Sequence, residues 1–135
     1  MNEISLNEFL LLGLVRRLRQ KYFPKKLNVG SCITVCLIIG YILSTRHHKT
    51  VRIVDGSCGD CYHSWLEIDQ INIDPARDTT GPYRLTFTPD ESITDEDVIL
   101  VDSSYGNIRS IDIYNWNDYY TDTFDNVLSM LMANR

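Results

Sequence analysis

The stretch YHSWLEIDQINIDPARD, residues 62–78, decides the fold. His63, Trp65 and Glu67 alternate with Ser64, Leu66 and Ile68, and Asp69-Gln70 then breaks the pattern. Beyond the break, Ile71 and Ile73 alternate with Asn72 and Asp74. Period-two alternation marks half-buried strands, so the stretch predicts a β-hairpin with Asp69-Gln70 as its turn. Paired residue numbers then sum to 139, setting Ile68 opposite Ile71, Glu67 opposite Asn72, Leu66 opposite Ile73 and Trp65 opposite Asp74. One face carries Leu66, Ile68, Ile71 and Ile73; the other carries His63, Trp65, Glu67, Asn72 and Asp74. A one-residue slip would expose four aliphatic side chains, which fixes the register. The turn chemistry is less favourable, because Asp-Gln lacks the glycine that a type I′ turn prefers.

The hairpin needs a partner for its aliphatic face, and the N-terminal third supplies one. Ser5 and Glu8 form a capping-box pattern ahead of Leu11, Leu14, Val15 and Leu18, predicting a helix from Leu6 to Tyr22 that Pro24 stops. Gly30-Ser31 reads as a turn and N-cap before CITVCLIIGYIL, a helix apolar on all sides and hence central. RHHKT is a polar connection with His47-His48 in an exposed loop, VRIVDG a strand, and GSCGDC a Gly-rich loop. Further strands are expected at Tyr83–Thr88, Val98–Asp102 and Ile108–Tyr114, with a closing helix carrying Phe124, Val127, Leu128 and Leu131. The order predicts an α+β domain, an antiparallel sheet on a central helix. A chain of 135 residues is read as one domain over 1–135. Within it, 1–27 hold the N-terminal helix, 28–78 the core, and 79–135 the further strands and last helix.

The polar face of the hairpin carries chemistry. His63 lies diagonally across from Asp74, and a carboxylate beside an imidazole holds a general base in one tautomer. The missing nucleophile is Cys32, in the first turn of the central helix. There, backbone N–H groups and the helix dipole favour a thiolate and offer donors to a developing oxyanion. Cys32, His63 and Asp74 in that order form a plausible thiol-acyl-transfer triad.

GSCITVC opening a buried helix, followed by HSWLEIDQINIDPARD, resembles the transglutaminase-like branch of the papain-like cysteine enzymes. The resemblance covers roughly residues 28–78. It implies a papain-like or transglutaminase-like core with Cys32 as nucleophile, His63 as base and Asp74 as orienting acid. Trp65 and Glu67 would support or line the site, and Asn28 is the candidate side-chain oxyanion donor. The chain departs from the pattern at Ile33, where an aromatic residue is common, at Cys36, where a small one is, and at Gln70, where glycine is. The resemblance implies chemistry on an amide or acyl bond through an acyl-Cys32 intermediate, and an amide or peptide hydrolase acting on a protein or peptide substrate is expected because water is the universal acceptor. The small domain leaves little room for substrate selection, so a protein partner is expected to supply specificity, and no cofactor is expected. The alternatives are a transglutaminase or deamidase acting on glutamine side chains, and a non-catalytic protein-binding module on the same fold.

Composition bounds the rest. Residues 1–50 carry eight Lys/Arg against two acids, and the remainder five against sixteen, giving +6 and −11. Six of the basic residues fall within 16–26. They read as a solvated helix face, and the acidic total argues against a nucleic-acid partner. The apolar run Ile33–Leu43 is too short to span a bilayer, and no export signal is evident, so a cytoplasmic location is expected. Cys58-x-x-Cys61 has zinc-ligand spacing, with His63 or Cys32/Cys36 as completing ligands. However, Cys32 and Cys36 lie within a helix and His63 is claimed by the hairpin, so no metal site is expected.

Overall fold

The computed structural model describes residues 4–23, 32–58, 61–76, 98–101 and 106–113, with the backbone alone described at 32–34, 57–58, 61–62 and 106–108. Helix α1 runs Leu6–Tyr22. The Glu8 N–H donates to Ser5 Oγ at 3.1 Å and the Ser5 N–H to Glu8 Oε1 at 3.0 Å, so the expected capping box forms. At the other end the Phe23 N–H donates to the Arg19 carbonyl, ending the helix. Leu11, Leu12, Val15 and Leu18 are its buried stripe.

Helix α2 runs Cys32–Arg46, and Val35 through Ile39, Ile42 and Leu43 are all buried. A helix buried on most sides needs cover from more than one direction, and α1 and the sheet provide it from one shared core, leaving Tyr41 exposed. Each such side chain removed from water contributes about 1.5–3 kcal/mol. Gly30 and Ser31, the expected start signal, lie outside the described residues.

The sheet consists of β1 (Val51–Cys58), β2 (Cys61–Ile68), β3 (Ile71–Asp74), β4 (Ile99–Leu100) and β5 (Gly106–Asp112), in the order β4-β3-β2-β1-β5. Every described pairing is antiparallel. The architecture is therefore α+β, two helices on a five-stranded antiparallel sheet. Gly40 fixes which face α2 covers. A Cβ there would lie 3.1 Å from Ile113 Cδ1, 3.2 Å from Leu66 Cδ2 and 3.3 Å from Val51 Cγ1, so only glycine lets α2 come this close.

Three sequence boundaries move. Of GSCGDC, expected as a loop, residues 56–58 belong to β1 and Cys61 opens β2, because cross-strand pairing extends to Cys58 opposite Cys61. Among the described residues of Val98–Asp102, Ile99–Leu100 are strand, paired with Asp74 and Ile73 of β3. The last described strand begins at Gly106 rather than Ile108 and ends at Asp112, following its pairing with Arg52 through Ser57 of β1. The Tyr83–Thr88 strand and the closing helix lie outside the described residues.

Candidate active site

The hairpin forms with the predicted register, Ile68 opposite Ile71, Glu67 opposite Asn72 and Leu66 opposite Ile73. Its turn works without glycine. Asp69 and Gln70 both adopt positive φ, 49° and 71°. Local bonds hold Asp69 there: its N–H donates to the Thr50 carbonyl, and its Oδ1 accepts the Thr50 N–H, both at 2.9 Å. Lys49 Nζ adds an ion pair at 3.5 Å to Oδ2. Asp tolerates this backbone better than most residues.

The register carries His63 to Asp74. His63 Nε2–H donates to Asp74 Oδ2 at 2.5 Å. The carboxylate is only 7% exposed, while the imidazole is 22% exposed. Asp74 Oδ1 also accepts the Ala76 N–H at 2.9 Å. A buried carboxylate is tolerated only when hydrogen-bonded, and both of its oxygens are. Nε2 is thus the ring nitrogen that faces Asp74, and Nδ1 is on the other side of the ring. Gly56 of β1 pairs with His63, so β1 puts no side chain directly opposite the ring.

Trp65 is 1% exposed and its indole N–H donates to Asn72 Oδ1 at 3.0 Å. At that burial it supports the hairpin instead of presenting a surface to substrate. Glu67 is half-buried opposite Asn72 and Arg52. Asn28 lies outside the described residues.

Cys32 opens α2, as the sequence predicts, and its side chain lies outside the description. Backbone geometry gives its level. Cys36 Sγ–H donates to the Ser64 carbonyl at 3.7 Å and Gly40 faces Leu66, so α2 and β2 advance in the same sense. One helical turn back from Cys36 is about 6 Å. Two residues back from Ser64 is about 6.6 Å. The head of α2 therefore stands level with Tyr62, next to His63. By strand alternation, His63 and Asp74 are on the sheet face opposite the Leu66 and Ile73 side chains that pack under α2.

Cys36 itself is a buried structural thiol. Among the described residues no group of three or more His, Cys, Asp and Glu is placed to hold a metal ion. Nor is any described helix long and apolar enough to cross a membrane.

Sequence reading missed Arg19. It is 3% exposed and its Nε–H donates to the Pro75 carbonyl at 2.8 Å, across 56 residues of chain. The available signal was periodicity: Arg19 continues the spacing of Leu11, Leu12, Val15 and Leu18, placing a cation on a core stripe. It also missed a polar ladder in which Ser64 Oγ–H donates to Asp55 Oδ1 at 2.6 Å and Arg109 Nε–H to Asp55 Oδ2 at 2.7 Å. These three residues come from three strands and meet only through the register.

Comparison with family models, with curated proteins and with solved structures finds no match to this chain.

Proposed function

We propose that the chain is a transglutaminase-like thiol enzyme that transfers acyl groups, hydrolysing amide or peptide bonds through an acyl-Cys32 intermediate. The observation that carries this reading is the buried Asp74 carboxylate bonded at 2.5 Å to a part-exposed His63, on strands beside the start of the central helix. A structural histidine gains little from so dry a carboxylate, whereas a base that must become an imidazolium gains directly.

In the proposed cycle, Nδ1 of His63 takes the Cys32 thiol proton and Asp74 stabilises the resulting imidazolium. The thiolate attacks the acyl carbonyl, and N–H groups at the head of α2 donate hydrogen bonds to the resulting oxyanion. The imidazolium then protonates the departing amine, leaving an acyl-thioester. Water, deprotonated by Nδ1, attacks the thioester, releases the acid and returns the proton to sulfur. An amine in place of water gives transamidation, and a glutamine side chain as acyl donor gives deamidation. The reading requires the sulfur to reach past β2 to the His63 face at the level where the helix starts.

The test is incubation of the full chain with a short-peptide library followed by mass spectrometry, with and without an added primary amine. Cleaved peptides, deamidated glutamines or amine adducts that vanish in Cys32→Ser identify which acceptor is used. No change in any peptide, with Cys32 no more reactive than a free thiol, assigns the fold to the protein-binding module instead.

A further inference from the structure

The turn that follows Asp74 is held from a distance. Pro75 has no N–H, so the Asp74-Pro75-Ala76 corner presents two backbone groups beyond β3, the Pro75 carbonyl and the Ala76 N–H. Asp74 Oδ1 takes the Ala76 N–H. The Pro75 carbonyl is taken by Arg19 Nε–H, from the last turn of α1. The same guanidinium donates through Nη1 to the Phe23 carbonyl and lies 5.8 Å from the centre of the Phe23 ring. One planar group thus ties the C-terminal end of α1 to the corner carrying the carboxylate. Arginine suits this, because its donors have fixed relative directions while a lysine ammonium offers only a point charge.

We infer that Arg19 is a positioning residue for the His63–Asp74 pair: it sets the corner after β3 so that Asp74 Oδ2 meets the imidazole. This rests on the proposed acyl-transfer reading for its catalytic meaning, but not for its geometry. A mere packing role does not explain why a permanent charge is buried at this position, since an aliphatic residue would continue the Leu11, Val15, Leu18 stripe at lower desolvation cost. Among the described residues, the other charged groups on the sheet face of His63 are Asp74, Glu67, Arg52 and Asp112, from β1, β2, β3 and β5.

The two effects that removing Arg19 could have on His63 differ in sign. If Arg19 acted only through its charge, its removal would make the imidazolium easier to form, and the titration midpoint would rise. If it positions Asp74, its removal weakens the carboxylate partner and the midpoint falls. The experiment is an NMR titration of His63 in the full chain, comparing wild type with Arg19→Met, Arg19→Lys, Asp74→Asn and the packing control Leu18→Ala. The inference predicts a fall in Arg19→Met of at least half that in Asp74→Asn, a smaller fall in Arg19→Lys, and none in Leu18→Ala. An unchanged or raised midpoint in Arg19→Met overturns it, as does an equal fall in Leu18→Ala. Should Arg19→Met not fold, Arg19→Lys decides: a midpoint equal to wild type overturns the inference. Alkylation of Cys32 in the same samples separates the two claims. A midpoint that falls as predicted, in a protein whose wild-type Cys32 is unreactive, keeps the positioning role and removes the acyl-transfer reading.

Discussion

Asp74 shows how much a single side chain can be asked to do. It ends β3, caps the corner through the Ala76 N–H, and holds the His63 ring. Replacing it with asparagine keeps the shape but offers the imidazole an amide that can favour the wrong tautomer. Asp74→Asn is therefore expected to slow Cys32 alkylation by about 10²-fold, within the range general-base catalysis supplies, with little change in the melting curve. In the first turn of α1 Glu8 is held below its ordinary value of 4.5, first by the Ser5 backbone N–H and then by the Ser5 hydroxyl. A lowered folded-state value means that this contribution is present above the unfolded value and is lost as pH falls through the folded one. Titration of α1 helicity from pH 6 to pH 2 is expected to show the N-terminal turn loosening only in the acid range, and Ser5→Ala is expected to remove that dependence. An acid loss of helicity identical in Ser5→Ala would contradict it. His63 and Asp74 were legible in the sequence, because strand alternation and a two-residue turn dictate which side chains meet. Arg19 was not, because a hydrogen bond over 56 residues leaves no local pattern beyond a charge on a core stripe.

At the scale of elements, α1 and the β2–β3 hairpin could be read residue by residue, and the reasons differ. The capping box of α1 is purely local. The hairpin register is enforced by burial of Leu66, Ile68 and Ile73, which overrides a turn sequence that is poor by composition. That conflict makes a prediction. Gln70 holds φ 71° without the hydrogen bonds that anchor Asp69, and αL backbone costs a non-glycine residue about 1 kcal/mol. Gln70→Gly is expected to raise stability by up to about 1 kcal/mol, read as a higher urea midpoint at unchanged slope; a clear loss would show that the Gln70 side chain holds the turn. The lengths of β1 and β2 were not legible, because residues 56–58 and Cys61 fall in a stretch with the composition of a loop, and only cross-strand pairing makes them strand. Short β4 is likewise defined by its partner, with the Val101 N–H donating to the Asn72 carbonyl just beyond it.

Across the whole molecule, one core joins both helices to the aliphatic face of the sheet. Its tightest point is Gly40, where three side chains leave no room for a methyl group to enter without displacement. Overpacking of this kind costs typically 1–3 kcal/mol, and the better helix propensity of alanine returns about 1. Gly40→Ala is thus expected to lose on the order of 1 kcal/mol in urea denaturation, and Gly40→Leu to prevent folding; a stabilised Gly40→Ala would show that α2 stands further from the sheet. The α+β class was visible in the element order, because a fully apolar helix can only be central and alternating strands can only cover it with one face. The catalytic proposal depends on the Cys32 sulfur reaching past β2, from the face that α2 covers to the face that carries His63. Site-resolved alkylation of the full chain with iodoacetamide, followed by peptide mass spectrometry across pH 5 to 9, measures this most directly. The account predicts that Cys32 is modified well ahead of Cys36, Cys58 and Cys61 at neutral pH, and that His63→Ala abolishes the advantage. Modification of Cys32 at the rate of an ordinary thiol, unaffected by His63→Ala, would contradict it.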